Sequence, residues 1–197
     1  MVRVVVLLFG AMLLYGQTAA DVVVYGATPA GIAAAVRAAR AGRNVLLLEP
    51  SAQVGGLLTG GLSYTDFRTQ EAVTGFFREY MDRVLAHYES TYGKGSAAAG
   101  ESFEGALAEP KVARRVLEGM LAEEKTLRVW RRAGIESVIT GSGSEGKRRI
   151  LRAQVKRGEE RETVAAQFWI DATYEGDLAA RAKVPYRLGR EGREVYG

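Results

Sequence analysis

The chain of 197 residues contains no cysteine and a single histidine, His87. The absence of cysteine excludes disulfide bonds, cysteine-ligated iron–sulfur clusters and redox-active thiol pairs. Any redox chemistry must therefore belong to a bound cofactor. Because His87 has no second histidine or cysteine to share a metal ion with, we expect a structural or surface role for it and no metal site.

Blocks of like charge and long apolar runs are also missing. The net charge of +4 is spread along the chain, so we expect no nucleic-acid partner. The apolar run at residues 4–15 has 12 residues, fewer than the ~20 that span a bilayer. The composition, 47% hydrophobic and 25% charged, is typical of a globular chain of one domain or slightly more.

Residues 1–20 have the pattern of a secretory signal. Arg3 precedes the apolar run, and Thr18, Ala19 and Ala20 put small residues where a signal peptidase cuts. We therefore expect export to the periplasm or the extracellular space, with no stable membrane span after cleavage, and a domain comprising residues 21–197. Two alternatives are weaker: a membrane anchor, because the run is short, and a core strand or helix, because Asp21 already begins a complete domain.

Residues 21–50 predict one βαβ unit and read DVVVYGATPAGIAAAVRAARAGRNVLLLEP. The first β-branched run is too short for a helix and ends at Gly26, which indicates a buried parallel strand followed by a tight turn. Thr28 is a good N-cap and Pro29 suits the first helical position. Gly42 ends the helix, and a second apolar strand follows it.

This unit has the spacing of a dinucleotide-binding site. Gly31 lets the helix pack close to the strand, and the helix N-terminus offers N–H groups and its positive dipole end to an anion. We therefore expect a pyrophosphate beside residues 26–31. Thr28 replaces the usual middle glycine, and its hydroxyl is a potential donor to the phosphate. Glu49 lies 18 residues after Gly31, about where an acid holds a ribose hydroxyl.

A glycine pattern of this kind is weak evidence on its own, because it also occurs in α/β proteins that bind no nucleotide. In this chain the strand, turn, helix, second strand and acid all occur in register. That agreement favours a nucleotide site.

The later elements are predicted from periodicity and turn signals. Residues 73–90 fit an amphipathic helix, and another helix begins at Pro110 and runs to about Lys125. Residues 93–105, rich in Gly, Ala and Ser, predict an exposed connection. Four strand candidates follow, the middle ones forming an antiparallel meander, at residues 127–130, 135–140, 149–156 and 163–170.

Four ordered stretches resemble one protein family. They are VVVYGATPAGIAAAVRAARAGRNVLLLEP, VGGLLTGGLSYTD, EPKVARRVLEGML and WIDATYEGDLAARAKVPYRLGRE. They resemble the N-terminal part of FAD-dependent oxidoreductases of the glutathione-reductase-like flavoprotein superfamily, in particular a bacterial group often found in exported proteins. The resemblance implies an α/β fold: a Rossmann-like FAD-binding domain whose parallel sheet carries an antiparallel β-meander.

The resemblance also implies which residues contact FAD. At the pyrophosphate they are Gly26, Ala27, Thr28, Pro29, Ala30 and Gly31. At the adenosine they are Glu49 and Pro50 for the ribose and the main chain of Ile135 for the adenine. Towards the flavin they are Gly55, Gly56, Leu57 and Thr59, and the second FAD motif adds Ala172 and Thr173. In that second motif, Tyr174 replaces the glycine that usually follows the threonine.

The function implied is flavin-mediated hydride or electron transfer on an unidentified small-molecule substrate. No catalytic residue is predicted, because turn and capping roles explain Tyr64, Asp66, Glu175 and Asp177 equally well. Members of the family continue into a substrate domain and a segment that closes over the flavin. We therefore expect this chain to be a fragment or truncated form whose site is completed by a C-terminal portion or a second chain.

Two other functions remain open on the sequence. An NAD-binding Rossmann dehydrogenase would share the βαβ unit and the ribose acid, but it would not require the glycine-rich loop at residues 55–61 or the DAT motif. A catalytically silent fragment that binds a nucleotide fits every motif.

Overall fold

The computed structural model describes residues 17–62, 64–143, 147–190 and 192–196. Its strands are β1 (Gln17–Tyr25), β2 (Val45–Glu49), β3 (Leu127–Arg131), β4 (Ala133–Ser142), β5 (Arg148–Arg157) and β6 (Glu160–Asp171). Its helices are α1 (Pro29–Arg40), α2 (Gly56–Gly60), α3 (Gly75–Tyr92), α4 (Ala97–Glu101), α5 (Pro110–Ala122) and α6 (Asp177–Arg181). The strands form one mixed sheet in the order β3-β2-β1-β6-β5-β4.

The parallel strands β3, β2, β1 and β6 end together at one edge of the sheet. Residues 22–25 pair with 45–48 on one side and with 168–171 on the other. Both faces of β1 are covered, so Val23 and Val24 are fully buried. A continuous β-branched run suits a strand in that position, and the structure confirms the predicted parallel strand.

The first strand begins earlier than predicted. Residues 17–20 pair with 163–166 and extend β1 towards the N-terminus, where the sequence predicts the end of a signal. The small side chains that suit a cleavage site also fit a strand lying beside the alanine-containing part of β6. The rest of the predicted signal, residues 1–16, lies outside the described residues.

An antiparallel meander completes the sheet, as the sequence predicts. β4 pairs with β5, and β5 pairs with β6, so the two added strands continue beyond the parallel part. Ile135, Ala153 and Val155 from the meander pack against Leu46 and Leu48 of β2 and cover one face of the parallel strands.

Helices cover the other face of the parallel strands. α1 buries Ile32 and Val36, α3 buries Met81 and Val84, and α5 adds Leu117 and its neighbours to the same core. The predicted helices at 73–90 and 110–125 are confirmed, with each end shifted by no more than three residues. Arg40 of α1 and Glu79 of α3 form an ion pair at 2.6 Å between Nη1 and Oε2.

The prediction of an exposed connection at residues 93–105 is partly wrong. Ser96 caps the short helix α4 by accepting a hydrogen bond from the Ala99 N–H at 3.3 Å. Ala99 and Ser102 are 6% and 3% exposed. A Cβ on Gly105 would lie 1.9 Å from the Met81 carbonyl oxygen, so this segment packs closely on α3. Small side chains here allow close packing, which composition alone does not distinguish from an exposed loop.

None of the helices in the described part of the chain is both long and apolar enough to cross a membrane.

Candidate cofactor site

The carboxyl ends of β1, β2 and β6 border a cavity of about 560 Å³. Its lining comes from the β1–α1 turn, the segment after β2, α2 and the β6–α6 turn. The volume lies within the range of roughly 300–1,000 Å³ found for small-molecule sites. Open α/β sheets bind ligands in crevices at this same edge.

Two glycines bring the β1–α1 turn close to its surroundings. Gly26 has φ of 99°, and a Cβ there would lie 2.8 Å from the Ala172 carbonyl oxygen. A Cβ on Gly31 would lie 1.9 Å from the Gly26 carbonyl oxygen. Both positions exclude a larger residue unless the backbone moves, which explains the glycine spacing in physical terms.

Thr28 caps α1 as predicted, but its hydroxyl hydrogen is used within the protein. The Oγ1 atom accepts from the Gly31 N–H at 3.2 Å and donates to the Ala172 carbonyl oxygen at 2.8 Å. Because a hydroxyl has one hydrogen, this arrangement leaves none for a phosphate. The expected donation from Thr28 to a pyrophosphate is therefore replaced by a link between the α1 cap and the end of β6.

Backbone donors remain at the start of α1. In the described part of the chain, the N–H groups of Thr28 and Ala30 donate to no other group, and Thr28 lines the cavity. Pro29 carries no N–H. These two amides, together with the positive end of a 12-residue helix, are the groups here that suit an anion.

Glu49 lies at the end of β2 and joins two segments of the lining. Its Oε2 accepts from the Ala27 N–H at 2.8 Å, and its Oε1 accepts from the Ser51 N–H at 2.7 Å. Each carboxylate oxygen can accept more than one hydrogen bond, so Glu49 retains capacity for a ligand hydroxyl. Pro50 lines the cavity beside it.

The glycine-rich segment after Val54 folds as a short helix rather than the expected loop. Gly55 has φ of 100°, and its N–H donates to the Ala27 carbonyl oxygen at 2.7 Å. Thr59 Oγ1 donates to the Val54 carbonyl oxygen at 2.7 Å, which closes the segment on itself. Leu57 is 52% exposed beside the cavity.

Asp171 organises the turn that follows β6. Its Oδ1 accepts from the Thr173 hydroxyl at 2.7 Å, and its Oδ2 accepts from the Ala179 N–H at 2.8 Å. The Thr173 hydroxyl in turn accepts from the Asp177 N–H at 2.9 Å. Sequence reasoning assigned no role to Asp171, although an acid directly after a buried strand and two residues before a threonine is a signal for such a turn.

Most of the predicted contacts lie together at the cavity, whereas Ile135 of β4 does not line it. Those lining the cavity are Gly26, Thr28, Glu49, Pro50, Gly56, Thr59 and Thr173, with Ala27, Pro29, Ala30, Gly31, Gly55, Leu57 and Ala172 adjacent in the chain. Ile135 is 2% exposed, and its N–H donates to Tyr25 Oη at 3.3 Å. Burial raises the pKa of Tyr25, so this phenol stays neutral at physiological pH.

A family model described as FAD dependent oxidoreductase matches residues 21–197, the whole of the βαβ unit, helices and meander. The chain belongs to this family. FAD is accordingly its cofactor. This finding decides against the NAD-binding alternative and confirms the resemblance seen in the four sequence stretches.

Solved structures share the fold at low sequence identity. THI4 from Thermovibrio ammonificans is 17% identical with a TM-score of 0.54, over 85% of this chain and 64% of that one. A geranylgeranyl bacteriochlorophyll reductase-like protein from Thermoplasma acidophilum is 18% identical with a TM-score of 0.54, over 86% and 43%. The 3-ketosteroid delta1-dehydrogenase of Sterolibacterium denitrificans is 16% identical with a TM-score of 0.50, over 79% and 48%. The chain thus spans about half to two thirds of these proteins, and no curated protein matches it.

Proposed function

We propose that the chain orients FAD across the carboxyl edge of the sheet for hydride or electron transfer with a small-molecule substrate. The pyrophosphate lies at the N-terminus of α1, the adenosine ribose at Glu49, and the flavin end towards α2. FAD supplies the redox chemistry, while the chain binds and orients it. The observation that carries this placement is the pair of free N–H groups of Thr28 and Ala30. They lie in a turn that packs so closely that positions 26 and 31 have no room for a Cβ.

The backbone, and not side-chain charge, would have to hold a phosphate at this helix end. The segments that line the cavity contain Glu49, Glu175 and Asp177 and neither lysine nor arginine. With no cation among these described lining residues, backbone amides and the helix dipole are left to stabilise a pyrophosphate there. Glycine at positions 26 and 31 allows the tight turn and the close packing that place these amides at the cavity.

The alanine variant of Gly31 tests this placement. The new Cβ would meet the Gly26 carbonyl oxygen, so the turn must shift and FAD affinity should fall at least tenfold. Gly119→Ala is the matched control, because a Cβ on this exposed glycine of α5 meets nothing within 4 Å. Quenching of flavin fluorescence gives the dissociation constant, and circular dichroism checks that each variant folds. Equal affinities for a folded Gly31→Ala protein and the control would contradict the placement.

We also propose that residues not contained in this sequence, on a C-terminal portion or a second chain, complete the substrate side of the site. Leu57 and Leu62 are 52% and 62% exposed near the α2 end of the cavity, where the flavin end is placed. Apolar side chains grouped beside a cofactor cavity are typical of a surface that another segment covers.

Export of the protein is a further proposal, supported by the signal-like pattern of residues 1–20. Cleavage after Ala20 would remove residues 17–20 from β1 but keep the pairs of residues 22–25 with both neighbouring strands. N-terminal sequencing of the protein recovered from the periplasm or the medium tests this. Recovery only inside the cell, with Met1 retained, would contradict it.

A further inference from the structure

Tyr174 joins the two segments that flank the flavin side of the cavity. Its hydroxyl oxygen accepts a hydrogen bond from the Leu57 N–H at 2.8 Å, which links positions 117 residues apart. Gly56 lies directly against the same hydroxyl, and a Cβ on Gly56 would be 2.3 Å from the oxygen. A side chain at position 56 would therefore displace the tyrosine hydroxyl from this contact.

This contact, the Tyr174 bridge, lies on the rim of the cavity. Gly56 and Tyr174 both line the cavity, yet Tyr174 is 56% exposed. One side of the bridge thus borders solvent and the other borders the cavity. The bridge connects the turn after β6 to α2, two of the segments that line the cavity.

The chemistry of the bridge suits a contact that opens and closes. A single hydrogen bond holds it, and the bond is exposed to water, which can replace either partner at small cost. The segment after Tyr174 is held independently, because Asp171 and Thr173 fix the turn by their own hydrogen bonds. The tyrosine side chain can therefore swing aside without unfolding the turn that carries it.

We propose that Tyr174 is a cofactor-retaining residue: the bridge closes over bound FAD and must open for the cofactor to enter or leave. This inference rests on the proposed path of FAD from α1 towards α2. Because entry and exit of FAD then share one opening step, that step affects the association rate and the dissociation rate by the same factor. Weakening the bridge raises the association and dissociation rates together and changes their ratio little.

The variants Tyr174→Phe and Tyr174→Gly test the bridge with the full chain. Losing one hydrogen bond changes the equilibrium between the closed and the open bridge by roughly 2- to 12-fold. Tyr174→Phe should therefore raise the association rate and the dissociation rate of FAD by about that factor. Tyr174→Gly removes the ring as well and should raise both rates further. Tyr186→Phe is the matched control, because Tyr186 is 64% exposed on the segment after α6 and does not line the cavity. Stopped-flow flavin fluorescence gives association, and displacement by excess FAD analogue gives dissociation.

A double-mutant cycle separates the bridge from a general loosening of the site. Gly56→Ala should also raise both rates in the parent protein, because its Cβ displaces the tyrosine hydroxyl. In the Tyr174→Gly background the same change should have a clearly smaller effect on both rates, since the bridge is already gone and only the strain of alanine at the positive φ of residue 56 remains. Independent contributions of the two residues would contradict the bridge.

Other outcomes would overturn the inference as well. Rates for Tyr174→Phe and Tyr174→Gly within twofold of the parent would show that the bridge does not limit exchange. A rise in the dissociation rate alone would make Tyr174 an ordinary contact with bound FAD. Failure of the proposed FAD path is recognised separately, because Gly31→Ala would then leave the affinity unchanged.

Discussion

Glu49 serves two parts of the site with one carboxylate. It holds the Ala27 N–H of the β1–α1 turn and the Ser51 N–H of the segment after β2, and it faces the cavity. The ribose-binding role predicted from spacing therefore comes with a structural role that spacing does not reveal. A ligand hydroxyl would add to these contacts, since a carboxylate accepts several hydrogen bonds.

Glu49→Ala tests the ribose contact. Hydrogen bonds to a charged group are worth roughly 1.5–3 kcal/mol each, so the affinity for FAD should fall by at least about tenfold. Glu159→Ala, a change in the exposed turn between β5 and β6, is the control. Titration of FAD into each variant gives the dissociation constants. An affinity for Glu49→Ala within a factor of about two of the parent would leave only the structural role.

Thr28, Ile135 and Tyr174 make long-range contacts that the sequence does not reveal. Thr28 was predicted as an N-cap, which is a local interaction, and the structure confirms it. Its bond to the Ala172 carbonyl oxygen and the Tyr174 contact with Leu57 join residues 144 and 117 positions apart. The Ile135 N–H is likewise engaged by Tyr25 from another strand. Such contacts depend on the register between strands, which no local pattern encodes.

Larger elements were predicted more completely, because periodicity reports burial directly. The parallel strands are short, continuous apolar runs bounded by turn signals, while the meander strands and the two long helices repeat their apolar residues periodically, and the structure confirms them. Residues 97–102 were missed, since alanine, glycine and serine carry little periodic signal although they pack closely. The early start of β1 was missed for a related reason, because the small residues at 18–20 match both the cleavage site of a signal and a strand.

The helices α1 and α3 and the segment directly after α5 are joined by charge as well as by apolar packing. Arg40 of α1 contacts Glu79 at 2.6 Å and Glu124 at 2.7 Å, while Arg83 of α3 contacts Glu79 at 2.8 Å. Hydrogen bonds from Arg40 and then Arg83 lower the pKa of Glu79 to about 2. Because Glu79 is more acidic in the folded protein, its contribution to stability is present above the pKa of about 4.5 that it has when unfolded.

Acid should therefore weaken the helical face. The Glu79 contribution is lost as the pH falls from about 4.5 towards 2, and solvent screening limits it to about 1 kcal/mol or less. Urea unfolding at pH 6 should show Glu79→Gln to be less stable than the parent by about that amount, and the difference should shrink below pH 3. Glu89→Gln on the same helix is the control. A difference that stays constant between pH 6 and pH 2.5 would exclude the ion pairs as its source.

The molecule as a whole is arranged around its carboxyl edge. Coverage of both faces by helices and meander fixes the parallel strands, and the loops that follow β1, β2 and β6 then meet at one cavity. Three loops far apart in sequence are linked there by Thr28, Glu49 and Tyr174. This scaffold accounts for binding of the cofactor, whereas no described residue has the contacts of a catalytic acid or base near the flavin end.

We therefore expect the chain to bind FAD without turning over a substrate. Flavin chemistry needs the ring held against the substrate in a site that excludes water, and the α2 end of this cavity is bordered by exposed Leu57 and Leu62. The reconstituted protein should show no rapid, saturable bleaching of the flavin when mixed anaerobically with alcohols, amines, sugars or reduced nicotinamides. Adding a substrate-binding portion, as a longer product of the same frame or as a separate chain, should produce such bleaching. Fast, saturable reduction by any one donor without that addition would mean that residues 21–197 already form a working active site, and it would exclude the silent alternative.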